Sequence, residues 1–196
     1  MHGSNQALPA RLAILLTLYM AQGLPGGIFS QALPAILRSH DVSLTIIGFS
    51  GILAAPWALK FLWSPWVDRC FSPRWGRSRS WILPIQALSI VLLLVIAGFD
   101  PLTLATDVGV YQFFALMLVL NLLAATQDVA SDALAVRSLN YQERGLGNAV
   151  QVGGYRLGLI IGGGFLLYLV AVWDWRQAFM VLALLLALIR DRKSVV

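Results

Sequence analysis

The chain has 196 residues, of which 59% are hydrophobic and 12% charged, with a formal net charge of +5. A soluble domain carries about 25% charged residues, so this composition excludes an ordinary soluble domain. The arginines sit beside apolar runs and form no patch on a polar domain, so the basic excess marks membrane topology and no nucleic-acid partner.

Six apolar segments follow one another, near Leu12–Leu37, Leu44–Val67, Trp81–Phe99, Val108–Ala130, Asn148–Val172 and Gln177–Ile189. A hydrocarbon core of about 30 Å needs about 20 residues per helical span. The runs are too long and too little alternating for barrel strands, and in lipid a helix satisfies its own backbone. The fold class expected is therefore an all-α integral membrane protein with the lipid bilayer as its first partner. Residues 1–11 read as an N-terminal segment, 12–189 as a six-helix bundle and 190–196 as a basic tail.

Segment one follows Arg11 and is long, with no small-residue cleavage site after Met20, so it reads as an uncleaved helix. It holds Gln22, then Gly23-Leu24-Pro25-Gly26-Gly27, and later Pro34. Such a run is expected to break or kink the helix. Broken helices often line transport sites, and a packing kink is the plainer alternative.

Segment two carries Lys60, and the loop after it carries Asp68, Arg69, Arg74, Arg77 and Arg79. Cys70, in that loop, is the only cysteine, which excludes an internal disulfide and leaves no metal-ligand spacing. Segment three has no charge. Segment four carries Gln127, Asp128 and Asp132, and the two acids, four residues apart, share one helix face. Asp128 is a candidate to carry a proton or to balance Lys60. Asp132 is expected at the interface, as an anchor or as a latch partner for the loop arginines. Charges inside a span cost about 2.5–3.5 kcal/mol near the helix centre, so each is a functional candidate.

Asn140 and Glu143 have the spacing of a helix-capping box ahead of segment five. In that segment Gly154, Gly158 and Gly162 repeat every four residues and make a ridge for close helix packing. Arg156, two residues from the ridge, points about 200° away from it. It is expected to face a solute path or to pair with an acid on another helix. Segment six has 12 apolar residues from Ala178 to Ile189, short of a full crossing. Residues 191–196, Asp-Arg-Lys-Ser-Val-Val, can be encoded by a string matching a common sequencing adapter. The expectation is a reading frame cut inside segment six, with a genuine basic tail as the alternative.

Basic residues cluster before segment one and after segments two, four and six, which places both termini on the cytoplasmic side. The strings Lys60-Phe61-Leu62-Trp63-Ser64-Pro65-Trp66-Val67-Asp68-Arg69 and Gly76-Arg77-Ser78-Arg79 resemble a variant loop motif of the major facilitator superfamily. Gln127-Asp128-Val129-Ala130-Ser131-Asp132-Ala133, Glu143-Arg144-Gly145 and Gly154-Tyr155-Arg156-Leu157-Gly158 resemble the AmpG-type muropeptide permeases and their acetyl-CoA transporter relatives. The resemblance implies the N-terminal half of a fold of about twelve helices, in the bacterial inner membrane, with a C-terminal six-helix half as the missing partner. It implies proton-driven import of anhydro-muropeptides for cell-wall recycling, with no cofactor and no metal. Helices one and four would line the cavity and helices three and six would lie outermost. Asp68, Arg69, Gly76, Arg77 and Arg79 would form the gating loop. Asp128 and Asp132 are the proton-coupling candidates, and Lys60, Gln127, Arg156 and Gln22 the solute-path candidates.

Import of acetyl-CoA or a siderophore is the nearest alternative. A membrane-embedded enzyme lacks its usual signs: the only His-acid neighbours are His40-Asp41, and no Gly-x-Ser-x-Gly elbow surrounds Ser50 or Ser64. A small structural subunit is the third class.

Overall fold

The computed structural model describes residues 7–191, all of whose regular structure is helical. Six helical stretches follow in order: α1 (Leu8–Ser39), α2 (Leu44–Leu62), α3 (Arg79–Ala97), α4 (Asp107–Ser138), α5 (Tyr141–Val172) and α6 (Trp175–Asp191). Helices α1 to α5 are long and apolar enough to cross a membrane, whereas α6 has 17 residues and falls below that length. The expectation for residues 191–196 falls, past the backbone of Asp191, outside the described residues.

α1 does not break at its Gly-Pro run. The helix continues through Pro25 and widens into a π turn at Ile28–Ala32. Pro34 can offer no N–H to the carbonyl of Ser30 and its ring crowds that carbonyl. The wider turn meets this demand, with Leu33 N–H bonding five residues back to the Ile28 carbonyl. α2 is less regular than the expected continuous span. It tightens into 3₁₀ turns at Ser50–Ala54 and Lys60–Leu62, around Pro56, and stops at Trp63 before a short helix at Ser64–Arg69. α4 is longer than its apolar run, reaching Ser138 with Thr106 capping its start by accepting from Gly109 N–H at 3.1 Å. Asp132 consequently lies about 9 Å inside the C-terminal end of the helix.

The closest packing is between α1 and α5. Gly23 and Gly27 on α1 meet Gly158 and Gly162 on α5, and Gly154 meets Leu16. A methyl group on Gly154 would stand 2.7 Å from the Leu16 carbonyl oxygen, so only hydrogen lets these backbones approach. The ridge read from the sequence is thus the seat of α1. A second π turn, Ile161–Phe165 on α5, lies against the π turn of α1.

α6 lies along α3, and α4 touches α1, α2 and α3. Trp175 donates its indole N–H to the Ile96 carbonyl at 2.8 Å, within an aromatic cluster of Phe99, Phe113 and Phe179. A large apolar core around Leu24, Phe113, Phe179 and Leu182 fills the half of the bundle nearer that cluster. A smaller core of Leu15, Leu18, Tyr19, Val67, Ile82, Ala130 and Leu139 fills the other half.

Candidate functional site

Polar side chains converge from α1, α2, α4 and α5. On α2 the 3₁₀ turn at Lys60–Leu62 directs the Lys60 ammonium to the Asp128 carboxylate of α4, and the two form an ion pair. The Asp128 side chain is only 10% exposed while that of Lys60 is 33% exposed, so the cation is the partner that reaches water. The ammonium also lies 5.9 Å from the ring centroid of Trp57, within cation–π range. Trp57 in turn donates to Asn121 Oδ1 at 3.4 Å and meets the Tyr155 ring edge-on at 6.1 Å.

Asp132, one turn on from Asp128, has different partners. Tyr19 of α1 donates its hydroxyl to Asp132 Oδ1 at 2.8 Å, and Gln151 of α5 donates to the same oxygen at 3.3 Å. The two acids of α4 therefore divide the surrounding helices, Asp128 holding α2 and Asp132 holding α1 and α5. A cavity of about 540 Å³ opens beside them, lined by Lys60, Asp68, Arg77, Asp132 and Arg137 among others. It joins the intramembrane charges to the loop after α2. No loop arginine forms an ion pair with Asp132 among the described residues.

Within that loop Arg77 lies over the Phe71 ring at 5.0 Å and Gly76 adopts a left-handed φ of 77°, a turn that suits glycine. Asp68, Arg69 and Arg79 are exposed. Arg137 at the end of α4 donates to Ser78 Oγ at 2.9 Å and so ties α4 to the start of α3.

Arg156 is exposed and makes no hydrogen bond or ion pair among the described residues, on the side of α5 away from the glycine ridge. Gln22 and Gln127 are buried, with both amide atoms of Gln22 and Nε2 of Gln127 lacking partners. Both are buried in the bundle and make no hydrogen bond with the Lys60–Asp128 pair. At the other end of this site Arg11 grips Glu143 with two hydrogen bonds of 3.0 and 3.1 Å. Glu143 also accepts from Asn140 N–H at 2.9 Å in the expected capping box, so it fastens α1 to the start of α5.

The sequence reading omitted Tyr19, Trp57, Asn121, Gln151 and Tyr155. Trp57 stands three residues before Lys60 and Asn121 seven before Asp128, which are same-face spacings that signal them. Tyr19 and Gln151 carry no such local signal, because their tie to Asp132 is purely tertiary.

The family described as acetyl-coenzyme A transporter 1 matches residues 11–172. An anhydromuropeptide permease of Escherichia coli (strain K12) is 37% identical over 177 residues, which make up 90% of this chain and 35% of that protein. An uncharacterized protein of Haemophilus influenzae is 37% identical over 181 residues, 92% of this chain and 41% of that protein. A putative transporter AmpG 4 of Rickettsia conorii is 28% identical over 180 residues, 89% of this chain and 42% of that protein. The chain thus spans about two fifths of the length of these relatives.

Proposed function

Because this membrane-spanning chain belongs to the acetyl-coenzyme A transporter family, we propose that it is the first six-helix half of a proton-coupled importer of anhydro-muropeptides. The observation that carries this reading is the Lys60–Asp128 pair, set beside the second acid Asp132 where α1, α2, α4 and α5 meet. An ion pair that reaches water from one side can open when its carboxylate takes a proton. Protonation of Asp128 frees Lys60, and the loss of attraction lets α2 move relative to α4. A half-cavity cannot alternate its access, so a second six-helix half completes the path.

Arg156 is assigned to the solute. Its guanidinium stays charged and forks onto a carboxylate, as an anhydro-muropeptide presents on its peptide. Asp68, Arg69, Gly76, Arg77 and Arg79 act at the gate, and α6 and the part of α3 beyond Arg79 support from behind. The setting is the bacterial inner membrane with both termini cytoplasmic, in keeping with the arginine distribution.

The test is uptake of labelled anhydro-muropeptide by permease-deficient cells carrying the full-length gene. Uptake that needs a proton gradient supports the reading. Uptake of acetyl-CoA or of a siderophore in its place moves the assignment to that solute.

A further inference from the structure

Three arginines gather over one apolar cavity at the end of the bundle where α1 begins and α4 ends. Arg77 belongs to the loop after α2, Arg79 opens α3 and Arg137 lies in the last turn of α4. The cavity holds about 390 Å³ and lies between α1, α3 and α4. No acidic residue lines it, and none of the three arginines forms an ion pair among the described residues. Asp68 and Asp132 line the neighbouring cavity, which shares Arg77 and Arg137 with this one.

Charge and apolar surface are layered here. On α3, Leu83 lies one turn after Arg79, and on α4, which runs the other way, Leu134 lies one turn before Arg137. Each leucine therefore stands about 5 Å deeper along its helix than its arginine. Ile14 and Leu18, one turn apart on α1, continue the apolar wall.

The polar layer is built rather than loose. Arg137 donates from Nε to the Ala133 carbonyl at 2.8 Å and from Nη2 to Ser78 Oγ at 2.9 Å, which fixes the guanidinium and leaves Nη1 to donate elsewhere. Ser78 is buried, and while accepting from Arg137 it keeps its own O–H for a ligand. Arg77 is held over the Phe71 ring at 5.0 Å. Trp75, exposed beside it, lines the same cavity. Tryptophan and arginine together mark the level where lipid headgroups meet acyl chains.

Three like charges without a counter-ion repel one another, and a bound anion relieves that repulsion. A soluble phosphate makes no use of the aliphatic wall, whereas an amphiphile uses both layers. We propose that this cavity binds an anionic phospholipid of the surrounding bilayer, with its phosphate on Arg77, Arg79 and Arg137 and the start of an acyl chain against Leu83 and Leu134. Guanidinium forks match phosphate oxygens. Basic pockets between helices at a membrane surface seat anionic headgroups in this way. The lipid bridges the loop after α2 to α3 and α4, and so steadies the segment that carries Arg77. The inference needs the membrane setting alone and is independent of which solute is carried.

The experiment titrates delipidated full-length protein in detergent with phosphatidylglycerol, phosphatidylcholine or soluble glycerol phosphate, and counts bound molecules by native mass spectrometry. Phosphatidylglycerol is expected to bind about tenfold more tightly than phosphatidylcholine, and glycerol phosphate more weakly than either. Arg77→Gln with Arg79→Gln is expected to lower the phosphatidylglycerol affinity about tenfold and to abolish the preference. Leu83→Trp keeps every charge but fills the cavity, and is expected to lower the affinity as well. Arg176→Gln, at the opposite end of the bundle, stays at the wild-type value. Variants are compared at matching size-exclusion elution, so that a folding defect is not read as lost binding. Equal affinity for the two lipids, or wild-type phosphatidylglycerol affinity in the double arginine variant, overturns the site. Wild-type affinity in Leu83→Trp places the lipid outside the cavity and overturns it too. Glycerol phosphate binding as tightly as phosphatidylglycerol assigns the arginines to a soluble anion and overturns the lipid.

Discussion

Tyr19 and Asp132, 113 residues apart in the chain, are joined by a hydrogen bond of 2.8 Å that links α1 to α4 within a transmembrane bundle. Because Gln151 of α5 donates to the same oxygen, one carboxylate ties three helices together. Asp128, four residues earlier, ties the fourth through Lys60. The two acids of α4 therefore do separate jobs, and substitutions should separate them.

Tyr19→Phe keeps the ring in its core and removes only the hydroxyl. A hydrogen bond to a charged acceptor contributes about 1.5–3 kcal/mol, and Gln151 remains as a donor, so the loss falls at about 1.5 kcal/mol. Thermal unfolding of the purified full-length protein should show a lower Tm while solute-driven proton uptake persists. Loss of coupling without loss of stability would place Asp132 in the proton path as well.

Lys60→Gln leaves Asp128 buried without its cation. Breaking a buried pair costs about 3–5 kcal/mol, and the partial exposure of Lys60 puts this case at the lower end. The double variant Lys60→Gln with Asp128→Asn removes both charges. It is expected to recover most of the Tm but none of the proton coupling, as read by unfolding and by proton flux in the same preparations.

Gly158→Ala puts a methyl 2.7 Å from the Gly23 Cα atom, in backbone contact that cannot yield by a side-chain turn. Overpacking of this kind costs about 1–3 kcal/mol. Gly153→Ala meets nothing within 4 Å and serves as the control. The expected outcome is reduced folded yield for Gly158→Ala and wild-type yield for Gly153→Ala, measured by fluorescence-detected size exclusion. Equal yields would mean that α1 and α5 do not pack on these glycines.

Glu143 does two things, and the substitutions Glu143→Gln and Arg11→Gln distinguish them. Glutamine still completes a capping box but loses the charge that grips Arg11. Both side chains are mostly shielded, at 16% and 19% exposure, so the pair should outlast the screening that weakens surface ion pairs. A double-mutant cycle on Tm should return a favourable coupling between the two side chains. Zero coupling would leave only the cap.

Much of the fold could be read from the chain because hydropathy and backbone chemistry are local. The apolar runs, the glycine ridge of α5 and the capping box at Asn140 and Glu143 all appear in the structure. α4 runs past its apolar segment to Ser138, because its last turns, with Ala130, Ala133 and Ala135, still favour helix after the apolar run ends. The π turn of α1 escaped notice because Pro25 and Pro34 suggest a break, whereas widening a turn also accommodates the backbone, and the π turn of α5, at Ile161–Phe165, carries no proline to signal it. Lys60 and Asp128 were legible as a possible balance of charge inside a membrane. The partners of Asp132 were not, since nothing near Tyr19 or Gln151 in the sequence points to α4.

Arg156 is the residue on which solute charge recognition depends in this account. Arg156→Lys keeps a cation but loses the planar fork. Uptake KM for an anionic solute should rise about tenfold, corresponding to about 1.4 kcal/mol, with membrane abundance unchanged. Wild-type KM in that variant would assign Arg156 to structure or to plain charge.

The central claim is that Asp128 carries the coupled proton. The direct measurement is solute-driven proton movement in proteoliposomes holding the full-length protein, wild type against Asp128→Asn, followed with a trapped pH dye as anhydro-muropeptide is added. The account predicts proton entry with solute for the wild type, and none for Asp128→Asn at equal reconstituted amounts. Equal proton entry in both would contradict it and leave the Lys60–Asp128 pair as a structural tie.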